Sequence, residues 1–273
     1  MKTKTFLFAV ISLFLLVMIV GCEEESKLKV TEEEQSNGQT QTRLAKERAW
    51  DYRVKPGTAE WSLLKDEKER IAAVQIPEDV LMSSSSEEIV DMVIDFPLFG
   101  YFTAFNTPQE GFLIMLYRFN LFKHLLSRKD VGKDLIAVYK DAGMSGFEKK
   151  SYSNEFWTIK LKYLELILSQ NEIIESLTEE EKLELIIEAK NKLEKKGQDE
   201  SFRSLPSFQS STLMMVKILK KEKYGELENY SNKQKMDEFI ESGTIEDAVS
   251  LINDVVRLTD NFIKDSNNKK LLQ

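Results

Sequence analysis

From Trp50 to the C-terminus, apolar residues recur at helical spacing, and several of these runs are preceded by a helix-start signal. Thr107-Pro108-Gln109-Glu110 is the sharpest start: Thr107 can cap, Pro108 suits the first helical position, and Glu110 completes a capping box. Phe112, Leu116 and Phe119 then follow on one face. Ser85 to Glu88, Thr178 to Glu181 and Ser231 to Gln234 repeat the arrangement and predict a helix after each. The last helix carries an apolar stripe of Ile245, Ala248, Val249, Ile252, Val255, Val256, Phe262 and Ile263. Residues 153–169 are apolar all round, which predicts a central helix covered on several sides. A helix over 179–196 buries Leu183, Ile186, Ile187 and Leu193 and has a charged outer face, with Glu188 and Lys192 as an i, i+4 pair. Another helix runs over 208–223 through Leu213, Met214, Val216, Ile218 and Leu219.

The run from Ile71 to Ile76 has strand-like content. Trp61, Leu64, Arg70 and the charges around them read better as an amphipathic helix ending before Pro77. No alternating run long enough for a sheet stands out. The pattern therefore predicts an all-α chain, an irregular multi-helix bundle or helical-repeat-like array of about nine or ten helices. Breaks fall near 142–154 and 197–207, where Gly, Ser, Lys and Pro206 collect. The first break separates an N-terminal helical subdomain at 46–145 from a C-terminal one at 146–273, which also read as a single domain. No strict repeat period is present.

The N-terminal segment has a different pattern. Lys2 and Lys4 precede an apolar run from Phe6 to Val20 interrupted only by Ser12, and Ile19-Val20-Gly21-Cys22 closes it. A run of this length is a signal-peptide core, whereas a spanning helix needs about 20 apolar residues. The closing tetrapeptide resembles the lipobox of bacterial lipoproteins. That resemblance implies cleavage before Cys22, acylation of its thiol and attachment to a lipid bilayer. Residues 1–21 are then the signal peptide, and 22–45 an acidic, aromatic-free tether that cannot bury enough apolar surface to offset its ordering entropy. As a flexible coil the tether spans roughly 25–30 Å. Its acidic start, Glu23-Glu24-Glu25, resembles the surface-export signal of lipoproteins in the Bacteroidetes.

Cleavage removes Lys2, Lys4 and no acid, so the net charge moves from −8 to −10. Such acidity argues against nucleic acid and against electrostatic adhesion to anionic lipid, leaving acyl chains as the anchor. Cys22 is the only cysteine and His124 the only histidine. Disulfides within the chain, Cys-based zinc sites, two-histidine zinc sites and a cysteine nucleophile in the mature protein are thereby excluded. No Gly-rich phosphate loop or calcium loop is present, and the sequence calls for no cofactor or metal.

Gly57-Thr58-Ala59-Glu60-Trp61, Leu64, Gln75-Ile76-Pro77, Phe96-Pro97-Leu98, Phe105-Asn106 and Phe119-Asn120 resemble a family of uncharacterised bacterial proteins, many of them lipoproteins. The resemblance covers 57–143. It implies a shared fold and carries no activity.

Candidate chemistry is sparse. His124 lies among apolar neighbours and reads as a partly buried or helix-end residue, since acid–base work needs partners at the site. Asp91 and Asp95, one helical turn apart, and Glu110 are the carboxylates a glycan hydrolase would use, although a chain this acidic yields such pairs by chance. Ser83 to Ser86 has no nucleophile elbow. It leaves a Ser–Lys dyad open but reads as a linker and helix cap. The segment from Phe96 to Asn106 holds five aromatics in eleven residues. Phe99, Tyr101, Phe102 and Phe105 are its candidate binding surface, against the alternative of a buried corner between helices. No catalytic residue is assigned. The function expected is an extracytoplasmic, membrane-anchored module of the cell envelope binding a protein or peptide. The alternatives are a carboxylate-dependent glycan hydrolase and a neutraliser of a basic toxin.

Overall fold

The computed structural model describes residues 50–142, 154–200, 202, 204–244 and 248–271. Among the described residues the chain is all-α, with fourteen α-helices, one 3₁₀ helix and no strand. Ten of the α-helices have seven residues or more, which is the nine or ten that the apolar pattern predicts. The chain divides into two compact units between Val74 and Gln75.

In the first unit the single amphipathic helix expected before Pro77 is two short ones, α1 (Ala59–Ser62) and α2 (Glu67–Ala73). Thr58 caps α1, and the Asp66 carboxylate accepts the Glu69 N–H to start α2 afresh. A cap in mid-stretch interrupts what periodicity alone joins.

The second unit contains α3 (Glu78–Ser83), α4 (Ser86–Ile94), the 3₁₀ helix η1 (Phe99–Ala104), α5 (Pro108–Arg118), α6 (Asn120–Ser127) and α7 (Val131–Asp141). It continues through α8 (Asn154–Leu168), α9 (Asn171–Ser176), α10 (Glu179–Gln198) and α11 (Leu205–Lys221). It ends with α12 (Gly225–Glu228), α13 (Lys233–Ser242) and α14 (Ala248–Leu271). Reciprocal capping boxes form at Ser85/Glu88 and Thr178/Glu181. Thr107 accepts the Glu110 N–H, with Pro108 at the helix start. The cap expected at Ser231 is displaced: Asn232 occupies the N-cap of α13 and makes no side-chain cap bond.

Aromatic contacts run across the break at 142–154, between segments that the sequence reads either as two subdomains or as a single domain. Phe96 packs edge-on against Phe119 (5.0 Å) and Phe122 (5.2 Å), and Phe122 meets Tyr163 of α8 at 6.3 Å. The Tyr163 hydroxyl donates to the Val93 carbonyl of α4 at 2.9 Å. Each such ring pair adds about 0.5–1.5 kcal/mol beyond area burial. As its composition predicts, α8 is central, and every residue from Tyr163 to Gln170 is buried.

An amide clasp joins two of the short motifs. The Gln75 amide donates to the Arg118 carbonyl (2.9 Å) and accepts the Asn120 N–H (3.1 Å). The Asn120 amide donates to the Ile76 carbonyl and accepts the Ile76 N–H at 3.3 Å. Two side-chain amides thus satisfy the backbone groups of Ile76 and those left free where α5 ends and α6 begins.

The stripe on α14 is phased differently from the one the sequence suggests. Ala248, Leu251, Val255 and Leu258 are buried, while Val249 is 65% exposed. Steps of three and four from Ala248 select Leu251 and Leu258, and the expected positions fall largely one residue round the helix. Ile245 lies outside the described residues.

Candidate functional site

A lone carboxylate sits in the middle of the apolar run of α8. Glu165 is fully buried, and so are Tyr139 of α7, Lys196 of α10 and Ser211 of α11. Lys196 Nζ donates to both Glu165 oxygens (2.8 and 2.7 Å), to the Ser207 carbonyl (2.9 Å) and to Ser211 Oγ (2.8 Å). Ser211 Oγ donates in turn to Glu165 Oε1 at 2.7 Å. The Tyr139 hydroxyl donates to the same oxygen at 2.9 Å, and Ser210 Oγ donates to Oε2.

Lys192, one turn before Lys196, extends the network. Its ammonium pairs with Glu188 at 3.1 Å, donates to the Ala142 carbonyl beyond the end of α7 at 2.9 Å, and lies 4.9 Å from the Tyr139 ring centroid. Lys182, two turns and more upstream on α10, pairs with Glu222 at the end of α11. The positions 182, 192 and 196 therefore fix α10 to three neighbours, whereas the sequence pattern assigns Lys192 to a solvated face.

The electrostatics follow from burial. Desolvation raises the Tyr139 phenol well above its usual value, and the adjacent Glu165 charge adds to the rise. Burial lowers Lys196 from the ordinary lysine range, while Glu165 pulls the other way. Ser211 beside Lys196 has the spacing of a Ser–Lys dyad but not its chemistry. Four acceptors surround Nζ, so the lysine is held as an ammonium and has no lone pair for a serine proton. The Ser211 hydroxyl already donates its hydrogen bond to Glu165, and solvent does not reach it. The cluster is an internal fastener between α7, α8, α10 and α11.

Of the candidate surface, η1 turns two rings inward. Phe99 (7% exposed) and Phe102 (2% exposed) belong to the core, which corrects the expectation that they form a binding face. A 3₁₀ helix brings residues i and i+3 to the same side, so Phe99 and Phe102 share a face. Phe99 stacks edge-on against Phe156 at 4.9 Å, with Lys160 Nζ 4.5 Å from its centroid. Lys162 lies 5.9 Å from the Phe102 ring. A Cβ on Gly111 would stand 2.3 Å from the Phe102 carbonyl oxygen, so glycine is what lets α5 approach η1.

Tyr101 and Phe105 remain half-exposed on the opposite side, 5.5 Å apart. Tyr101 rests edge-on against Phe119 (5.5 Å), and its hydroxyl accepts a hydrogen bond from Arg118.

The other candidates have structural settings. His124 Nε2 lies 2.7 Å from Glu78, in the last turn of α6. Ser85 is a helix cap, and the Arg128 guanidinium donates to the Ser84 carbonyl at 2.6 Å. Asp91, Asp95 and Glu110 are exposed. Cys22 lies outside the described residues. Among the described residues no group of three or more His, Cys, Asp or Glu is placed to hold a metal ion, and no helix is long and apolar enough to cross a membrane.

No family model matches the chain, and neither a curated protein nor a solved structure is detectably similar to it.

Proposed function

We propose that the mature protein is a lipid-anchored module of the bacterial cell envelope, whose helical domain binds a protein or peptide. The observation that carries the address is the apolar run from Phe6 to Val20 closed by Ile19-Val20-Gly21-Cys22. It supports acylation of Cys22, with the net acidity leaving the acyl chains as the attachment. The binding reading is supported by Tyr101 and Phe105, two half-exposed rings held on a rigid frame. Tyrosine, arginine and phenylalanine are the residue types enriched at the centres of interfaces.

Cys22→Ser is expected to abolish incorporation of labelled fatty acid and lipoprotein-type processing in the bacterial host. Unchanged processing and labelling in the mutant sinks the anchor. For the binding reading, full-length protein is solubilised in detergent and used to capture partners from the host envelope, with bound species identified by mass spectrometry. One protein recovered near stoichiometry, and lost with Tyr101→Ala/Phe105→Ala while the helical circular dichroism is unchanged, is the expected result. Recovery unaffected by that pair of substitutions removes the aromatic face from the reading.

A further inference from the structure

Most large apolar side chains at the surface stand singly, at Leu63, Met82, Leu205, Val249 and Leu271. Leu113 (54% exposed) and Tyr117 (79% exposed) differ, because they lie one turn apart on α5. Single exposed apolar residues are ordinary, whereas neighbouring ones form a patch. The helix is apolar on both sides. Gly111, Phe112 and Met115 are buried, and Gly111 turns towards η1. Leu113, about 200° further round the helix than Gly111, faces the other way. Glu110, Leu113, half-buried Ile114 and Tyr117 share that outer face at the spacing i, i+3, i+4, i+7. A helix apolar all round is ordinarily covered all round, as α8 is; α5 has that composition with one face open among the described residues. The apolar stretch runs from an acid in the first turn, Glu110, to a base in the last, Arg118.

We propose that this face pairs with a second copy of the chain, the two α5 helices lying antiparallel across a two-fold axis. Charge complementarity selects this occupant. Reversing one copy sets Glu110 of each opposite Arg118 of the other, and the midpoint of that register is Ile114. Ile114 then meets its own copy on the axis, and Leu113 and Tyr117 close over it from either side. A patch that complements itself is what an isologous interface requires, whereas parallel helices would set acid against acid and base against base. The antiparallel arrangement also brings the positive end of each helix dipole beside the negative end of the other. Arg118 keeps its bond to the Tyr101 hydroxyl, since a guanidinium has donors for more than one partner. One helix face from each copy is less than the about 800 Å² per partner of a standard interface, so the dimer is weak and exchanges. It does not depend on capture of another protein through Tyr101 and Phe105, and the two readings fail separately.

The test is disulfide trapping of the full-length protein in membranes of the bacterial host. Cys22 is the only native cysteine, so the wild type measures any bridging that the introduced thiol does not cause. Ile114→Cys is expected to give at least about tenfold more reducible dimer than Met82→Cys, because bridging needs Cα atoms within about 7 Å. Met82 is the control, as an exposed side chain on α3. Bridging of Ile114→Cys no greater than that of Met82→Cys overturns the proposal. Charge reversal is the second arm, read by sedimentation of the detergent-solubilised protein. Glu110→Arg or Arg118→Glu alone should weaken self-association at least about fivefold, and the two together should restore it. A double variant no stronger than either single one also overturns the antiparallel pairing.

Discussion

Lys196→Met is expected to destabilise the fold by about 3–5 kcal/mol, because it strips a fully buried carboxylate of its only fully buried counter-charge. Glu165 would keep the Tyr139, Ser210 and Ser211 hydroxyls as donors. Those three bonds cannot replace an ammonium, since the carboxylate stays in a region that water does not reach. The Ser207 carbonyl also loses its donor from Nζ and keeps Ser210 Oγ as a partner at 3.0 Å. Methionine matches the volume of the lysine stem, so lost packing contributes little. Pairing the change with Glu165→Leu separates charge from contact. The double variant removes both ions together and should recover most of the loss, and a double-mutant cycle then reports a coupling of several kcal/mol. Chemical denaturation of the four proteins checks this. A cost below about 1 kcal/mol for Lys196→Met would mean that the pair is hydrated in solution rather than buried.

The contrast between this network and the rest of the molecule shows what a sequence can display. Helix starts governed by local chemistry were legible: Thr107, Ser85 and Thr178 cap where their spacing to Glu110, Glu88 and Glu181 says they should. The central position of α8 was legible too, since apolar residues on every side leave no face for water. What fails to show is anything that depends on which helix lies opposite. Lys192 and Lys196 have the i, i+4 spacing of an exposed charged face and are buried only because α7, α8 and α11 close over them. Glu165 was the available hint, one acid inside an apolar run, and it gained meaning from Ser210 and Ser211 some 45 residues away in sequence. The same limit governs the aromatic corner. Composition alone treats Phe99, Tyr101, Phe102 and Phe105 alike, whereas the 3₁₀ geometry of η1 sends Phe99 and Phe102 to the core and leaves Tyr101 and Phe105 at the surface.

Lys217 should behave in the opposite sense from Lys196, although both are buried lysines on neighbouring helices. Burial lowers the Lys217 amine to about 8 from the ordinary 10.5, and the Glu172 charge offsets this only in part. A lysine with a lowered folded value binds fewer protons in the native state than in the unfolded chain between those two pH values. Stability must therefore rise as pH increases from about 8 to about 10.5. Below pH 8 the native state carries the whole penalty, which a shift of this size sets at about 3 kcal/mol. Lys217→Met removes the ionisable group and keeps the unbranched stem, so at pH 7 it should raise stability by about 2–3 kcal/mol. For a domain of this size the melting temperature gains roughly 5–10 °C. The difference between variant and wild type should shrink through pH 8 to 10.5 and vanish above it, which separates a titration effect from better packing. Differential scanning calorimetry of both proteins across that range is the measurement. A gain that stays constant with pH would assign it to packing, and a loss at pH 7 would show that Glu172 or another acid neutralises the amine in solution.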